Sequence, residues 1–454
     1  MKYISLNPAT EIVMSTYATH NEKHIMSVLN KSDEAQKQWK ILVPSVRVKY
    51  VESLIQLLEE RQDEFAGLIT SEMGKPIVDS KAEISKCITL CKYYQEKLKW
   101  LLKEEVISTS ATMSYVAFEP LGIILEIMPW NFPFWQVFRN AVPAILSGNS
   151  VLLKHAPNVP QCAISIEKLF HDAGFPEGLF QSLFLNNKQA AGLIADKRVQ
   201  MVCLTGSSKA GSEVASIAGK HLKKQLLELG GSDPMIITEK ANISKAVEIA
   251  IKSRLMNAGQ SCIASKRFII SKAVEKAFKE AILDKVQSIK IGDPQLEETQ
   301  MGPMARNDLR KLFLKQIALS QKKGANLLYG GNKIGKKGFF VEPVVLSNIA
   351  PGMPAFDEEV FGPAISFMTY KDEKEAVFLA NNTVYGLGAS VWTEDEDEAK
   401  RYIRSIESGN VFVNSLVKSD VRLPFGGIKN SGYGRELSHY GIKEFCNIKS
   451  VWID

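Results

Sequence analysis

Cys262 stands in the segment Asn257-Ala-Gly-Gln-Ser-Cys262-Ile-Ala, with Gly259, Gln260 and Ser261 just before it, where a helical pattern gives way to a strand. Small residues there let a substrate approach both the backbone and the sulfur. The thiolate is the nucleophile, so such a site needs a base or a positive field close by. A cysteine in isolation reads as buried and inert, and its company in this chain changes that reading. Glu228 opens Glu228-Leu-Gly-Gly-Ser-Asp-Pro234, a carboxylate at a strand end followed by two glycines. Glycine pairs often mark surface turns. A carboxylate on such a hinge also suits a general base for water, once a partly apolar cleft raises its pKa.

A third cluster is Pro129-Trp130-Asn131-Phe132-Pro133-Phe134-Trp135. Pro133 suits the first turn of a helix, which leaves Asn131 just outside it. Its side-chain amide can then donate to a developing oxyanion, with the backbone N–H of Cys262 as second donor. Trp135 and Arg139 are four apart and share one helix face; the plain alternative for Arg139 is an ordinary salt bridge. Gly206-Ser-Ser-Lys-Ala-Gly211 is a glycine-spaced strand-to-helix turn. It is neither the G-x-G-x-x-G fingerprint nor a P-loop, since Ser212 stands where a Walker lysine would fall. A helix starting at Ser208 would still offer backbone N–H groups to a pyrophosphate.

The elements that must position these groups alternate. Residues 21–104 read as helices, with Leu54, Leu57, Leu58, Phe65, Leu68 and Ile69 at helical spacing. The helical period is lost at 108–119, and 112–118 reads as a strand in a hairpin used for oligomer contact. Candidate strands then follow at 121–128, 150–153, 179–185, 199–204 and 224–227, with helices beginning near Pro133, Pro160, Lys188 and Ser208. That alternation predicts a parallel, doubly wound sheet. Ligands bind such sheets outside the carboxyl ends of the strands, where Trp130, Asn131, Lys154, Gly206 and Ser207 fall. A second α/β alternation has strands at 234–238 and 267–271 and helices at 242–258, 273–289 and 306–324. The tail 447–454 alternates like a strand and could extend a neighbouring sheet.

Composition narrows the function. A net charge of +6 over 454 residues, with acids and bases interspersed, leaves no basic stripe for nucleic acid. The most apolar stretch, 121–130, is too short to span a bilayer and contains Glu126. The first residues lack the apolar core of a signal peptide. Six cysteines without disulfide spacing fit a reducing compartment, so a cytoplasmic location is expected. Cys87 and Cys91 share a helix face but lack further ligands, and the six histidines form no ligand cluster, so no metal is assigned.

Seven motifs in order make the chain resemble the aldehyde dehydrogenase superfamily over essentially its whole length. They are PWNFP at 129–133, LLKHAPN at 152–158, TGS at 205–207, ELGGSDP at 228–234, GQSC at 259–262, EVFGP at 359–363 and PFGGIKNSGYGRE at 424–436. The fuller context is most like the short bacterial succinate-semialdehyde dehydrogenases. The resemblance implies Cys262 as nucleophile, Glu228 as general base and Asn131 as oxyanion donor. It implies NAD or NADP as cofactor, held by Trp130, Lys154, Pro157, Gly206, Ser207, Gly211, Leu229, Glu359 and Phe361. Lys154 would contact the adenine-side ribose and Glu359 the nicotinamide ribose. It implies an α/β fold with a Rossmann-type cofactor domain (1–107 and 119–228) and an α/β catalytic domain (229–424). A small β oligomerisation unit (108–118 and 425–454) would make a homodimer or homotetramer.

Four departures bear on specificity. Pro157 stands where NAD-preferring members usually carry Glu, which removes one barrier against the 2′-phosphate of NADP. Leu204 replaces a frequent Phe, and Ala264 replaces a second cysteine found in some relatives. Met256 stands where some succinate-semialdehyde enzymes carry a carboxylate-binding Arg. The substrate expected is nonetheless a short semialdehyde, most like succinate semialdehyde, with Trp135, Arg139, Ser261 and Ser419 at the substrate and the distal carboxylate on Arg139 and Ser419. The competing readings are a dehydrogenase for broader or apolar aldehydes, a cofactor-independent thiol esterase, and a non-catalytic relative. The esterase leaves Lys154 and Glu359 without purpose, and a non-catalytic relative is expected to have lost Cys262 or Glu228.

Overall fold

A computed structural model describes residues 2–454. The alternation read from the sequence folds as a six-stranded sheet whose order is Gly432–Tyr433, Lys224–Glu228, Val199–Thr205, Ile123–Met128, Ser150–His155, Phe180–Ser182. The last five are parallel. The chain builds outward from Ile123–Met128 in one direction and then returns to its other side with Val199–Thr205. The strand order therefore reverses between these two neighbours, and a crevice opens at their carboxyl ends. Pro129–Asn131 and Gly206–Ser207 leave the sheet at that crevice. Strands buried on both faces carry near-continuous apolar runs, as Ile123, Ile124 and Leu125 do here.

A seven-stranded sheet follows, in the order Asn326–Tyr329, Val344–Ser347, Ala364–Tyr370, Arg267–Ser271, Pro234–Ile237, Gly388–Trp392, Asn410–Val413. It is parallel except for the first, edge strand. The amino ends of Pro234–Ile237, Arg267–Ser271 and Ala364–Tyr370 point toward the crevice, because Gly230, Cys262 and Phe361 just before them line the same cavity as Trp130 and Ser207. The carboxyl ends of one sheet thus meet the amino ends of the other.

Helices cover the first sheet. Ile77–Leu101 packs along Trp135–Leu146, and its apolar face (Ile84, Cys87, Leu90, Cys91, Tyr94) is fully buried, which seats the cysteine pair in the core. The helix read at 242–258 is shorter, Ile243–Leu255, because Asn257 and Ala258 turn left-handed. An N-terminal hairpin, Lys2–Leu6 against Val13–Ala18, was not foreseen. A three-stranded antiparallel sheet joins Glu105–Val106, Met113–Pro120 and Cys446–Ile453. The segment 425–454 therefore divides: Gly432–Tyr433 pairs with Lys224–Glu228, placing Gly432 opposite Glu228, and only the last strand joins the small sheet. No helix is long and apolar enough to cross a membrane among the described residues.

Candidate active site

The nucleophile loop is held by its backbone. Asn257 and Ala258 adopt φ of 53° and 52° and Gly259 follows at 71°, a conformation that non-glycine residues enter at a cost of about 1–3 kcal/mol each. Side chains enforce it. Asn257 Nδ2 donates to the Asn131 carbonyl at 2.9 Å, and Gln260 uses both ends, Nε2 to the Asn257 carbonyl at 3.0 Å and Oε1 from the Ala305 N–H at 3.0 Å. Lys266 reaches back to the carbonyls of Cys262 (2.7 Å) and Ser261 (3.0 Å) and lies 3.7 Å from Glu359. Burial pushes the Cys262 thiol up to about 12, against the opposing charges of Arg139 and Lys266. The free protein therefore holds a protonated thiol at neutral pH.

Asn131 is buried beside this loop. Its Nδ2 donates one hydrogen to the Gln260 carbonyl at 3.2 Å, which leaves the second hydrogen for another acceptor. The loop carrying it is pinned from below by Glu83. That carboxylate accepts the N–H groups of Phe134 (2.8 Å) and Trp135 (3.0 Å) at the start of the helix and forms a fully buried ion pair with Lys75. Lys75 in turn sits 3.7 Å over the Phe132 ring.

Glu228 ends its strand fully inside the protein, and its Oε1 has no hydrogen-bond partner. Burial lifts its pKa well above the usual carboxylate range and the charge of Glu436 lifts it further, while Arg139 opposes both. The glycines after it give close approach rather than a hinge. A Cβ on Gly230 would lie 2.4 Å from Glu359 Oε2, and one on Gly231 2.8 Å from the Cys262 carbonyl.

A cavity of about 260 Å³ joins Cys262 and Asn131; Trp130, Gly206, Ser207, Leu229, Glu359 and Phe361 also line it, whereas Glu228 and Trp135 do not border it. Trp130 and Phe361 meet edge to face, with centroids 5.9 Å apart. Ser207 caps the Ser208–Lys220 helix by accepting the Ala210 N–H at 3.2 Å, so that helix end opens onto the cavity. A slot between apolar walls, a helix N-terminus and a carboxylate (Glu359) at the inner end suit a dinucleotide: ring, pyrophosphate and ribose each find a matching surface. Gln136 lines the slot with an unpartnered Oε1, a further acceptor.

Several expected residues sit elsewhere. Gly211 does not line the cavity; a Cβ there would come 2.5 Å from the Leu229 side chain, so the glycine seats Leu229. Lys154 lies at the end of Ser150–His155, its pKa lowered by burial, and Pro157 follows with its carbonyl bound to the Ile4 N–H at 2.9 Å. Neither borders the cavity beside Cys262. Ser261 is buried under the loop. Arg139 departs most from expectation. It is 2% exposed, its guanidinium pairs with the equally buried Glu436, and Nη2 lies 3.5 Å from Thr205. The ordinary salt bridge forms, and the charge of Arg139 is also the strongest one opposing the rise of the Cys262 thiol. Ser419 Oγ accepts from Lys86 Nζ at 2.6 Å.

Sequence reasoning passed over Lys266, Glu83, Lys75 and Lys86, and quoted Glu436 without giving it a role. Lys266 is four residues past the nucleophile, which was the available signal; the others are distant in sequence and meet only in the fold.

Comparison with known proteins agrees with this geometry. Residues 1–451 match the model of the aldehyde dehydrogenase family. The chain is 44% identical over 453 residues to a probable succinate-semialdehyde dehydrogenase [NADP(+)] of Synechocystis, covering 100% of both chains. It is 43% identical to the succinate semialdehyde dehydrogenase [NAD(P)+] of Escherichia coli K12, covering 99% of this chain and 98% of that one. The crystal structure of succinic semialdehyde dehydrogenase from Streptococcus pyogenes, in complex with NADP+, superposes with a TM-score of 0.97 at 36% identity over 99% of each chain. A cysteine on a strained loop, a buried carboxylate across from it and a dinucleotide-shaped slot between two facing sheets have one common explanation: the chain belongs to the aldehyde dehydrogenase family.

Proposed function

We propose that this protein oxidises succinate semialdehyde to succinate with NADP or NAD. The observation that carries the reaction class is the convergence of Cys262, Asn131 and Glu359 on one cavity. The named activity of relatives at 43–44% identity over the whole chain supports the substrate.

Cys262 attacks the aldehyde carbon, forming a C–S bond and an alkoxide. The free hydrogen of Asn131 Nδ2 and the Cys262 N–H hold that oxygen. Because burial keeps the thiol protonated in the free protein, the proton must leave as the bond forms, and Glu228 is the acceptor within its field. Collapse of the alkoxide re-forms the carbonyl and leaves a thioester on Cys262. Trp130, Ser207, Glu359 and Phe361 would hold a dinucleotide, which would supply the acceptor for the hydride that leaves the carbon as the thioester forms. Once Glu228 has passed the thiol proton on to solvent, its carboxylate, with Oε1 free, takes a proton from the water that hydrolyses the thioester. The charge of Arg139 opposes the rise in that carboxylate's pKa. Trp135 walls the substrate side, and Ser419 offers a hydroxyl to the end group.

Pro157 carries no carboxylate to repel a 2′-phosphate, which supports use of NADP. The three-stranded sheet leaves Ile448, Trp452 and Met113 exposed, which supports assembly into a homodimer or homotetramer through that face. The direct test is the rate of reduced-nicotinamide formation with succinate semialdehyde and with butanal, each with NAD and NADP. A kcat/KM far higher for the semialdehyde supports the substrate. Equal or better activity on butanal overturns it and leaves the reaction class standing.

A further inference from the structure

Lys266 is a buried ammonium whose hydrogens are all turned on one loop. It stands four residues beyond the nucleophile and is 2% exposed. Its backbone is fixed first: the N–H groups of Lys266 and Arg267 both donate to the Asp233 carbonyl, at 2.9 and 3.2 Å. From that anchor Nζ reaches the carbonyls of Cys262 (2.7 Å), Ser261 (3.0 Å) and Ala264 (3.3 Å). An ammonium carries three N–H donors on one atom and no acceptor, so this set uses all of them. Its counter-charge, Glu359, lies 3.7 Å away, beyond hydrogen-bond range, and accepts the Gly231 N–H at 3.1 Å instead. The charge is thus balanced by one group and the hydrogens are spent on others.

The consequence follows from the peptide bond. That unit is planar and trans, so its C=O and N–H point in opposite directions, and no peptide bond among the described residues is cis. Holding the Ser261 carbonyl on Lys266 therefore turns the Cys262 N–H to the opposite side of the loop. The Cys262 carbonyl is confined as well, since a Cβ on Gly231 would already lie 2.8 Å from it. The preceding carbonyl, of Gln260, is bound by Asn131 Nδ2 at 3.2 Å, so neighbouring carbonyls of the loop are claimed by different donors. Cys262 and Asn131 border the cavity and Lys266 does not. Nothing among the described residues accepts the Cys262 N–H.

Resting on the reaction read above, we propose that Lys266 is the positioning residue of the oxyanion pocket. By holding the Ser261 and Cys262 carbonyls it aims the Cys262 N–H at the oxygen of the bound aldehyde, beside the free hydrogen of Asn131. Lys266 touches no reacting atom. Its effect falls on the alkoxide that forms as sulfur adds to the carbonyl carbon, and so on the barrier rather than on substrate binding. A donor preset in this way costs no reorganisation as the charge develops. The charge of Lys266 also opposes the rise of the Cys262 thiol, a separate effect that acts before any aldehyde is bound.

Two reactions of Cys262 divide these effects. Alkylation by iodoacetamide needs the thiolate and forms no oxyanion, whereas the first turnover of an aldehyde to reduced nicotinamide needs both. Each is measured at pH 8, with the better substrate of succinate semialdehyde and butanal, in the wild-type enzyme, Lys266→Met, Lys266→Gln and Asn131→Ala. In Lys266→Met the first-turnover rate is expected to fall at least thirtyfold further than alkylation does, with the aldehyde KM within threefold of wild type. Lys266→Gln keeps N–H donors without the charge. It is expected to alkylate as slowly as Lys266→Met and to turn over at least fivefold faster. A first-turnover loss in Lys266→Met no larger than its alkylation loss overturns the positioning role, and so does a Lys266→Gln enzyme no faster than Lys266→Met. An Asn131→Ala enzyme with wild-type first turnover overturns the oxyanion reading itself, and the proposal with it. Should neither Lys266 variant fold, the crystal structure of the wild-type enzyme carrying a thiohemiacetal decides. An adduct oxygen within hydrogen-bond reach of the Cys262 N–H, with the Ser261 carbonyl still on Lys266, supports the assignment. A Ser261 carbonyl turned away from Lys266, or an adduct oxygen out of reach of that N–H, refutes it.

Discussion

Replacing Arg139 by Met separates two roles that sequence alone left open. If the guanidinium held the substrate carboxylate, its loss would weaken acid aldehydes and spare neutral ones. The structure places it instead in an ion pair with Glu436, with side chains 2% and 1% exposed. Removing one partner of such a pair strands the other charge in the interior and costs about 3–5 kcal/mol of stability. The stranded group is Glu436, which also accepts from Asn140 at 2.7 Å and raises the pKa of Glu228. Arg139 is at the same time the strongest influence holding the Cys262 thiol down. Its loss therefore moves both Cys262 and Glu228 further from ionisation, in the chemistry common to every aldehyde. Arg139→Met is expected to unfold at lower urea by that amount. It is also expected to lower kcat/KM for succinate semialdehyde and butanal by the same factor, with the acid limb of the rate profile moved to higher pH. The reasoning is refuted if butanal turnover stays within twofold of wild type while the semialdehyde falls tenfold or more.

Asn131→Ala removes one oxyanion donor, worth roughly 3 kcal/mol of barrier and hence about a hundredfold in kcat. Steady-state rates check this, and a loss under fivefold would point to the Cys262 N–H as sufficient. Glu228→Gln keeps the volume but cannot take a proton, so a stoichiometric burst of reduced nicotinamide is expected without sustained turnover; stopped-flow absorbance at the reduced cofactor distinguishes this from a dead enzyme. With the thiol near 12 in the free protein, alkylation of Cys262 by iodoacetamide should accelerate roughly tenfold per pH unit from 7 to 10 with no plateau, because the thiolate fraction keeps growing. A plateau near pH 8 would mean that Arg139 and Lys266 outweigh burial. Gly211→Ala drives a methyl toward Leu229 at 2.5 Å, so the cofactor KM should rise more than the aldehyde KM.

The parts of this site legible in the sequence are those held by local chain geometry. Trp130–Asn131, Gly206–Ser207 and Glu228 sit at strand ends, and apolar periodicity finds strand ends. Cys262 announces itself by its small neighbours. The helix read at 242–258 overran because propensity carries no sign of Asn257 and Ala258 turning left-handed; that turn is enforced by Gln260 reaching Ala305 and by Asn257 reaching Asn131, contacts between distant segments. Electrostatics was less legible still. A lone arginine four residues from a tryptophan looks free in a sequence, and whether it is free depends on Glu436, almost three hundred residues on. Once that pair forms, the positive charge available to an incoming anion is whichever cation the fold leaves without a carboxylate. Which charges stay free thus follows from which ion pairs the core completes, and a sequence motif around the cysteine cannot report it.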